Sequence, residues 1–252
     1  MKMNRLDGKV AFVSGGGRGI GAAAALSLAQ RGAKVAVNYV RQPDSAQAVV
    51  DRIRQAGGEA ALAQADVRDP EQVRAAMASI RETWGDIDIL VNNAHMSFVM
   101  KPLLAMQWEE LAQKLNDEMK AAFTLTKAVL PAMIERKYGR IIYISSNAAD
   151  VPVPYMAAHG SAKAALDAFS KYVALECAPY GVTANVVSPG LVETEASGET
   201  PETVKRQIAA MTPLQRVGVP DDIAGAIAFF ASEESRFITG TSMSVNGGMK
   251  MD

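Results

Sequence analysis

Short runs of apolar, β-favouring residues alternate along this chain with longer segments in which apolar residues recur at helical spacing. Strands and helices that alternate in this way form βαβ units, with parallel strands and with helices on both faces of the sheet. The predicted strands are residues 10–14, 34–38, 60–65, 89–92, 140–144, 182–187 and 242–245. The sequence therefore predicts an α/β fold built on one doubly wound sheet.

The composition limits the number of domains and the kinds of partner. The chain has 252 residues, of which 49% are hydrophobic, and no repeat or change in composition divides it. We therefore expect one domain over residues 1–252, in which the irregular, Thr- and Glu-rich stretch 193–215 forms a substrate lid. The formal net charge of −1 provides no basic surface for nucleic acid or for an anionic membrane, so small molecules are the expected ligands.

The single cysteine and the start of the chain indicate a reducing compartment. Cys177 is alone, so no disulfide can form within the chain. Met1 to Asn4 lead into the first predicted strand without a charged and then apolar targeting segment. No apolar run approaches the roughly 18 residues that span a bilayer. We therefore expect a soluble, cytoplasmic protein.

A glycine-rich turn follows the first predicted strand and opens the first predicted helix. The turn reads Ser14-Gly15-Gly16-Gly17-Arg18-Gly19-Ile20-Gly21. Glycines allow the backbone to turn tightly and to approach a pyrophosphate, whose charge the N–H groups and dipole of the helix N-terminus stabilise. Because a strand precedes the turn and a helix follows it, the turn is predicted to bind a dinucleotide rather than only to connect two elements.

The end of the second predicted strand indicates which dinucleotide binds. An NAD site carries an acidic residue there for the ribose 2′-OH, whereas the run from Val35 to Arg41 contains no acid. Arg18 and Arg41 can instead pair with a 2′-phosphate through charge-assisted hydrogen bonds. NADPH (NADP) is therefore the predicted cofactor. If Arg41 is only a solvated loop residue, Arg18 alone carries this preference.

Several motifs together resemble those of the short-chain dehydrogenase/reductase family, and in particular its compact branch of 3-oxoacyl-ACP reductases. They are the glycine turn, Asn92-Asn93-Ala94, Ser146 with Lys163, Pro189-Gly190 and the terminal Asn246-Gly247-Gly248. The resemblance covers residues 6–248. It implies a single Rossmann domain with a seven-stranded parallel sheet in the order 3-2-1-4-5-6-7, which binds its cofactor at the carboxyl ends of the strands.

The resemblance also implies the cofactor contacts and the oligomeric state. The implied cofactor-binding residues are Gly15, Arg18, Gly19, Ile20, Gly21, Arg41, Asp66, Val67, Asn93, Ala94, Lys163, Pro189, Gly190, Val192 and Thr194. Within this set, Asp66-Val67 would contact the adenine, and the segment from Pro189 to Thr194 would position the nicotinamide amide. A homotetramer or homodimer is implied, with contacts from the helix at 111–135 and from the last strand.

Three residues depart from the family pattern where its chemistry occurs. His159 lies four residues before Lys163, at the place of a tyrosine that transfers the proton, and Glu118 takes the place of an asparagine. His95 replaces the glycine that normally follows Asn-Asn-Ala. Ser146 and Lys163 match the pattern. We expect Glu118 to pair with Lys163, and we expect the charge of Lys163 to lower the pKa of His159.

These departures leave three interpretations open. In the first, NADPH reduces a conjugated carbonyl, quinone or ketone of an apolar substrate, aromatic or polyketide-like, while Ser146 and Lys163 stabilise the developing oxyanion. In the second, a non-redox cyclase, dehydratase or isomerase uses His159 and Glu118 as acid and base. In the third, the chain is a catalytically inactive NADP-binding protein. The first is favoured because a conjugated acceptor delocalises charge and depends less on immediate protonation by a phenol.

Other residues that accompany His159 and Lys163 have two possible interpretations each. Tyr155, eight residues before Lys163, is either an alternative proton donor or a wall residue at the substrate mouth. His95, His159 and Glu118 are the ligand types of a two-histidine, one-carboxylate metal site. They come from three separate elements without short ligand spacing, so no metal is predicted. Met96 and Phe98 indicate a soft hydrophobic pocket, although core packing explains them equally well.

Overall fold

Strands and helices alternate along the chain in the computed structural model, which describes residues 5–198 and 200–251. The strands are β1 (Val10–Val13), β2 (Lys34–Tyr39), β3 (Ala60–Gln64), β4 (Ile89–Asn92), β5 (Gly139–Ile144), β6 (Val182–Pro189) and β7 (Ser242–Val245). The helices are α1 (Gly19–Gln30), α2 (Pro43–Gln55), α3 (Pro70–Trp84), α4 (Trp108–Glu135), α5 (Ala157–Cys177), α6 (Glu202–Met211) and α7 (Pro220–Ala231). Each predicted strand is present.

The strands form one parallel sheet in the order β3-β2-β1-β4-β5-β6-β7, which confirms the predicted fold. Val13 at the end of β1 lies beside Val37 of β2 and Val91 of β4. Asn92 at the end of β4 lies beside Tyr143 of β5. The carboxyl ends of β1, β4 and β5 therefore meet at one edge of the sheet, where doubly wound folds bind their ligands.

Helices cover both faces of the sheet. On one face, α1, α2 and α7 bury Leu28, Ile53 and Ile227 against the strands. On the other face, α3, α4 and α5 form a second apolar cluster that includes Leu125 and Leu166. All six residues of β5 are buried because the strand lies between the two layers, which explains its almost continuous apolar sequence.

The stretch 193–215 is more regular than the sequence indicated. It contains a 3-10 turn at Glu195–Ser197 and helix α6, so the prediction of an irregular segment was wrong. Helix α6 buries none of its residues fully, and an exposed helix of this kind shows little apolar periodicity in its sequence. Glu199 lies outside the described residues. The role of this stretch as a substrate lid stays a prediction.

The expectations about cellular location rest on the start of the chain and on its helices. Met1 to Asn4, which carried the prediction of no targeting segment, lie outside the described residues. Within residues 5–198 and 200–251, no helix combines the length and the apolar character needed to cross a membrane. A cytoplasmic location stays a prediction.

Helix α1 packs closely on the glycine turn at Gly21. A Cβ atom added to Gly21 would lie 2.2 Å from the carbonyl oxygen of Gly15 and 2.5 Å from Nδ2 of Asn93. We expect Gly21→Ala to lower the free energy of unfolding by about 1–3 kcal/mol, because the backbone must move to accommodate the methyl group. Chemical denaturation without nucleotide measures this change.

Gly225 in helix α7 is the matched control. A Cβ atom added there meets no atom within 4 Å. Gly225→Ala should raise the free energy of unfolding by about 0.5–1 kcal/mol, since alanine loses less backbone entropy in a helix. Similar effects of the two substitutions would show that the contact between α1 and the turn does not constrain position 21.

Candidate active site

The glycine turn forms an open backbone cradle between β1 and α1. Gly15 and Gly19 have φ angles of +60° and +51°, a conformation that side-chain-bearing residues rarely adopt. Helix α1 begins at Gly19, and the side chain of Arg18 does not cap it. The N–H groups of its first turn therefore face outward without a side-chain acceptor, an arrangement that fits the pyrophosphate of a dinucleotide.

Hydrogen bonds tie the end of β4 to this turn. The backbone N–H groups of Asn93 and Ala94 donate to Oγ of Ser14 at 2.8 and 2.9 Å. Nδ2 of Asn93 donates to the carbonyl oxygen of Ser14 at 2.9 Å. Asn93 and Ala94, both predicted cofactor contacts, are thus held directly against the glycine turn.

Asn38 is a structural residue of the cradle that the sequence reasoning missed. It is buried in β2, where its Oδ1 accepts a hydrogen bond from the N–H of Gly15 at 3.1 Å. Its Nδ2 donates to the carbonyl oxygens of Ala63 and Ala65, both at 3.0 Å. An asparagine within an otherwise apolar strand was the available signal, because a buried amide needs such partners.

The predicted contacts for the adenosine end surround the tips of β2 and β3. Arg18 and Arg41 are both exposed, and Nη1 of Arg18 lies 3.4 Å from Oε1 of Gln42. The Asp66 carboxylate accepts hydrogen bonds from the guanidinium of Arg68, which lower the pKa of Asp66. Arg68 also donates to Asp117 of α4 at 2.9 Å. The two arginines that the sequence predicted as 2′-phosphate contacts are thus both exposed.

The segment after β6 lies over the glycine turn. A Cβ atom added to Gly19 would be 3.1 Å from Cγ2 of Thr194, which places this threonine beside the start of α1. The N–H of Gly190 donates to the carbonyl oxygen of Val245 at 3.3 Å. Val192 forms an isolated parallel bridge with Gly218. The segment is thereby fixed beside the cradle.

Ser146 and Lys163 come from adjacent elements at the end of β5. Ser146 follows the strand and caps a 3-10 turn, and its Oγ accepts a hydrogen bond from the N–H of Ala148 at 3.2 Å. Lys163 lies in α5, and its Nζ donates to the carbonyl oxygen of Ile144 at 2.7 Å. His159 lies one helical turn before Lys163 on the same buried side of α5.

Glu118 joins two buried lysines. Nζ of Lys163 lies 2.5 Å from Oε1 of Glu118, which confirms the predicted pair. Nζ of Lys114, one turn earlier in α4, lies 2.6 Å from Oε2 and also donates to the carbonyl oxygen of Met96 at 2.8 Å. Lys114 is fully buried and was missed by the sequence reasoning. Its spacing of four residues from Glu118 was the available signal.

The two histidines meet across the site, together with Phe98. The rings of His95 and His159 have centroids 6.1 Å apart. Phe98 stacks on His159 with a centroid distance of 4.6 Å and an interplanar angle of 24°. Nδ1 of His159 is buried and has no hydrogen-bond partner among the described residues. The segment after β4 thus supplies an aromatic wall that holds the imidazole in place.

Burial and charge set the protonation states of the site. Burial, followed by the positive charge of Lys163, lowers the pKa of His159 to about 3, so the imidazole is neutral at neutral pH. His95 is exposed on its outer side, but desolvation by the surrounding protein atoms and then the charge of Lys114 lower its pKa. Burial alone would raise the pKa of Glu118, but the two ammonium groups lower it to about 2. Glu118 is therefore a carboxylate.

Tyr155 lies apart from this buried cluster. It precedes α5 in a turn, as expected, with a φ angle of +67° and an exposed ring. Its carbonyl oxygen accepts a hydrogen bond from the N–H of Lys101 at 3.1 Å. This position fits a wall residue at the mouth of the site more directly than a proton donor. No group of three His, Cys, Asp or Glu side chains in the described part of the chain is arranged to hold a metal ion.

The fold and the glycine turn are those of a dinucleotide-binding α/β protein. A family model described as Enoyl-(Acyl carrier protein) reductase matches residues 15–250. The 3-oxoacyl-(acyl-carrier-protein) reductase FabG of Escherichia coli is 39% identical over 245 residues, which are 97% of this chain and 98% of that protein. The chain belongs to the short-chain dehydrogenase/reductase family of NAD(P)-dependent oxidoreductases.

Solved structures agree with this assignment. A putative gluconate dehydrogenase from Agrobacterium tumefaciens has a TM-score of 0.93 at 30% identity, covering 99% of this chain and 98% of that chain. A gluconate 5-dehydrogenase from Burkholderia cenocepacia, in complex with NADP and tartrate, has a TM-score of 0.91 at 34% identity, covering 98% of this chain and 96% of that chain. The similarity thus spans the whole domain.

The lowered pKa of His159 predicts a pH effect on stability. The unfolded chain binds a proton near pH 6.5, whereas the folded protein binds it only near pH 3. Between these values stability falls as the pH falls, because only the unfolded state gains the proton. From about pH 7 to about pH 5, the wild type should lose about 2 kcal/mol more unfolding free energy than His159→Phe. Denaturant titrations measure both losses.

His95 titrates in both proteins, so its contribution cancels in this comparison. Glu118 contributes little within the same window, since its stabilisation is lost mainly below its ordinary pKa of 4.5. Parallel pH curves for the wild type and His159→Phe would show that the folded protein accepts a proton on His159 as readily as the unfolded chain does.

Proposed function

We propose that this protein is an NADPH-dependent reductase of a conjugated carbonyl or quinone on an apolar substrate. One observation carries the proposal: the side chain in the place of the family's tyrosine is a buried, neutral imidazole stacked on Phe98. A group in this state is a poor proton donor at neutral pH, although it can still offer a hydrogen bond. The acceptor should therefore be one that does not need immediate protonation.

A conjugated acceptor meets this condition. When NADPH is bound it supplies the hydride. The electron pair displaced from the acceptor then collects on its oxygen, where Ser146 and Lys163 can stabilise it as an oxyanion. A proton from solvent can complete the reduction later. His159 would orient the substrate oxygen and the Phe98 ring would exclude water, without a proton transfer in the same step.

NADP preference is supported by two exposed arginines, Arg18 in the glycine turn and Arg41 just after β2. Guanidinium groups suit a 2′-phosphate, and no carboxylate at the end of β2 would repel it. The related gluconate 5-dehydrogenase from Burkholderia cenocepacia is described in complex with NADP. Met96 is buried in the core, so of the two apolar side chains only Phe98, which stacks on His159, supports an aromatic or polyketide-like substrate.

Reduction of a 3-oxoacyl thioester is a second candidate, supported by the 39% identity with the Escherichia coli FabG along almost the whole chain. The non-redox interpretation is less well supported. Glu118 is held by Lys114 and Lys163, and its lowered pKa makes it a weak base. The same ordered cluster argues against an inactive nucleotide-binding protein.

An assembly of two or four copies remains part of the proposal. Helices α4 and α5 expose Phe123, Tyr172 and Leu175, and the segment before β7 exposes Phe237. Phe123 lies on the helix that the family resemblance assigns to subunit contacts. Contacts between copies would cover these apolar side chains.

The cofactor proposal predicts that Arg18→Ala and Arg41→Ala each weaken NADPH binding by about tenfold, because each removes a charge-assisted hydrogen bond worth about 1.5 kcal/mol. NADH binding should change little. Fluorescence titration of both nucleotides measures the difference. Arg74→Ala on the exposed side of α3 is the control, and it should affect neither nucleotide. Equal losses for NADPH and NADH would contradict a phosphate-specific role.

The acceptor proposal predicts how activity depends on position 159. With NADPH and a quinone or enone, His159→Phe should retain activity within about tenfold of the wild type, since no proton passes through the ring. With simple ketones the wild type should be slower than His159→Tyr by about a hundredfold, the contribution of a positioned general acid. Steady-state assays across the three acceptor classes measure both effects.

Rapid ketone reduction that His159→Phe abolishes would identify the imidazole as the acid and favour the 3-oxoacyl candidate. Conversion of a substrate without NADPH would favour a non-redox enzyme. Absence of binding to either nucleotide would contradict the proposed function as a whole.

A further inference from the structure

Lys114, Glu118 and Lys163 form a buried chain of charges with two ammonium groups and one carboxylate. Each oxygen of Glu118 contacts a different lysine, at 2.6 Å for Lys114 and 2.5 Å for Lys163. All three side chains are buried, with exposed fractions of 0%, 5% and 7%. With both lysines charged, one positive charge in this chain of contacts has no carboxylate partner.

Among the described residues, none of the other ionisable groups around these three forms an ion pair with either lysine. They are His95 after β4, His159 and Asp167 of α5, Asp117 of α4 and Arg18 of the glycine turn. Desolvation and the neighbouring lysines lower the pKa of the buried His159 and of the more exposed His95, so both imidazoles are neutral. Asp117 is paired with Arg68. Burial raises the pKa of Asp167 to about 6, so this carboxyl is mostly ionised at neutral pH, but among the described residues it forms no ion pair with Lys114 or Lys163.

The contact between Lys114 and Glu118 determines the net charge that remains on Lys163 and its partner. If Glu118 faced Lys163 alone, the pair would be neutral and would offer little attraction to an anion. Lys114 binds the second oxygen of the carboxylate, so Lys114 and Glu118 together are neutral and the charge of Lys163 is left uncompensated. A buried charge without a partner is costly, and an anionic ligand would relieve that cost.

We propose that Lys114 is a positioning residue that balances Glu118, so that Lys163 keeps a positive charge available to an enolate or phenolate oxygen at the reacting end of the substrate. The inference rests on the proposed function, in which such an oxyanion forms. Lys114 thereby becomes a further residue of the site. The same charge arrangement implies that the reduced product, or an analogue of it, binds as the anion. Binding of an anion does not require turnover, so it can be tested separately from activity.

Para-nitrophenol is a suitable probe because its phenolate is yellow and its neutral phenol is nearly colourless. The probe is titrated with pH in the presence of the protein and saturating oxidised NADP, and absorbance gives the pKa of the bound phenol. An opposite charge within about 4–6 Å lowers the pKa of an acid by about 1–3 units. The wild type should therefore bind the phenolate in preference to the phenol.

Lys114→Met keeps the length of the side chain and removes its charge. It should weaken phenolate binding by about tenfold, the low end of that range, because Glu118 then neutralises Lys163. The double variant Lys114→Met with Glu118→Gln restores one net positive charge and should recover phenolate affinity to within about threefold of the wild type. A residue needed only for packing would not be rescued by removing a second charge.

Lys120→Met is the matched control, since Lys120 is an exposed lysine on the same helix. It should leave phenolate binding unchanged. Circular dichroism and NADP affinity check that each variant is folded. If Lys114→Met alone does not fold, Glu118→Gln provides the test, because it leaves two ammonium groups without the carboxylate and should strengthen phenolate binding.

No preference of the wild type for phenolate over phenol would overturn the inference, as would unchanged binding in Lys114→Met or no recovery in the double variant. If the protein shows the expected charge dependence but reduces no conjugated acceptor, the proposed function fails while the role of Lys114 stands. If it reduces such acceptors but binds phenolate independently of these charges, the proposed function stands and the role of Lys114 fails.

Discussion

The parallel pairing of β1 with β4 and of β4 with β5 is the constraint on which the rest of the site depends. It brings three strand ends to one edge, so that the glycine turn, Asn93 and Ser146 become neighbours although they are distant in sequence. The bonds from Asn93 and Ala94 to Oγ of Ser14 then fix the distance between the cradle and the chemical site. A slip in this register would separate cofactor from substrate.

Helices α4 and α5 carry the buried charged side chains that lie beside that edge of the sheet. Lys163 is held by the carbonyl oxygen of Ile144 and by Glu118, so it has few alternative positions. Such fixed groups stabilise a developing charge without reorganising during the reaction. The same buried surroundings lower the pKa of His159, and the two effects are linked: the charges that would stabilise an oxyanion also keep the imidazole neutral.

Periodicity and glycine placement were sufficient to predict the sheet and the cradle, because each depends on local sequence. The order of the strands and the pairing of Glu118 with Lys163 followed from resemblance to a family. Lys114 and Asn38 could not be assigned in this way. The role of Lys114 depends on how far a long side chain reaches into the core, and that of Asn38 on which carbonyl groups surround a buried amide. Helix α6 was missed because an exposed helix leaves a weak apolar pattern.

Glu118, which departs from the family pattern, makes physical sense only together with Lys114. Glu118 without Lys114 would neutralise Lys163. Lys114 without Glu118 would be a buried ammonium that, among the described residues, keeps the carbonyl oxygen of Met96 and the Phe98 ring as partners but no carboxylate. Buried ionic groups can often be replaced by apolar side chains of similar size with no loss of stability, so stability alone does not require this arrangement. The net positive charge of Lys114, Glu118 and Lys163 becomes favourable only when an anion forms or binds beside Lys163. This favours a changed reaction, and not a loss of activity, as the explanation for His159.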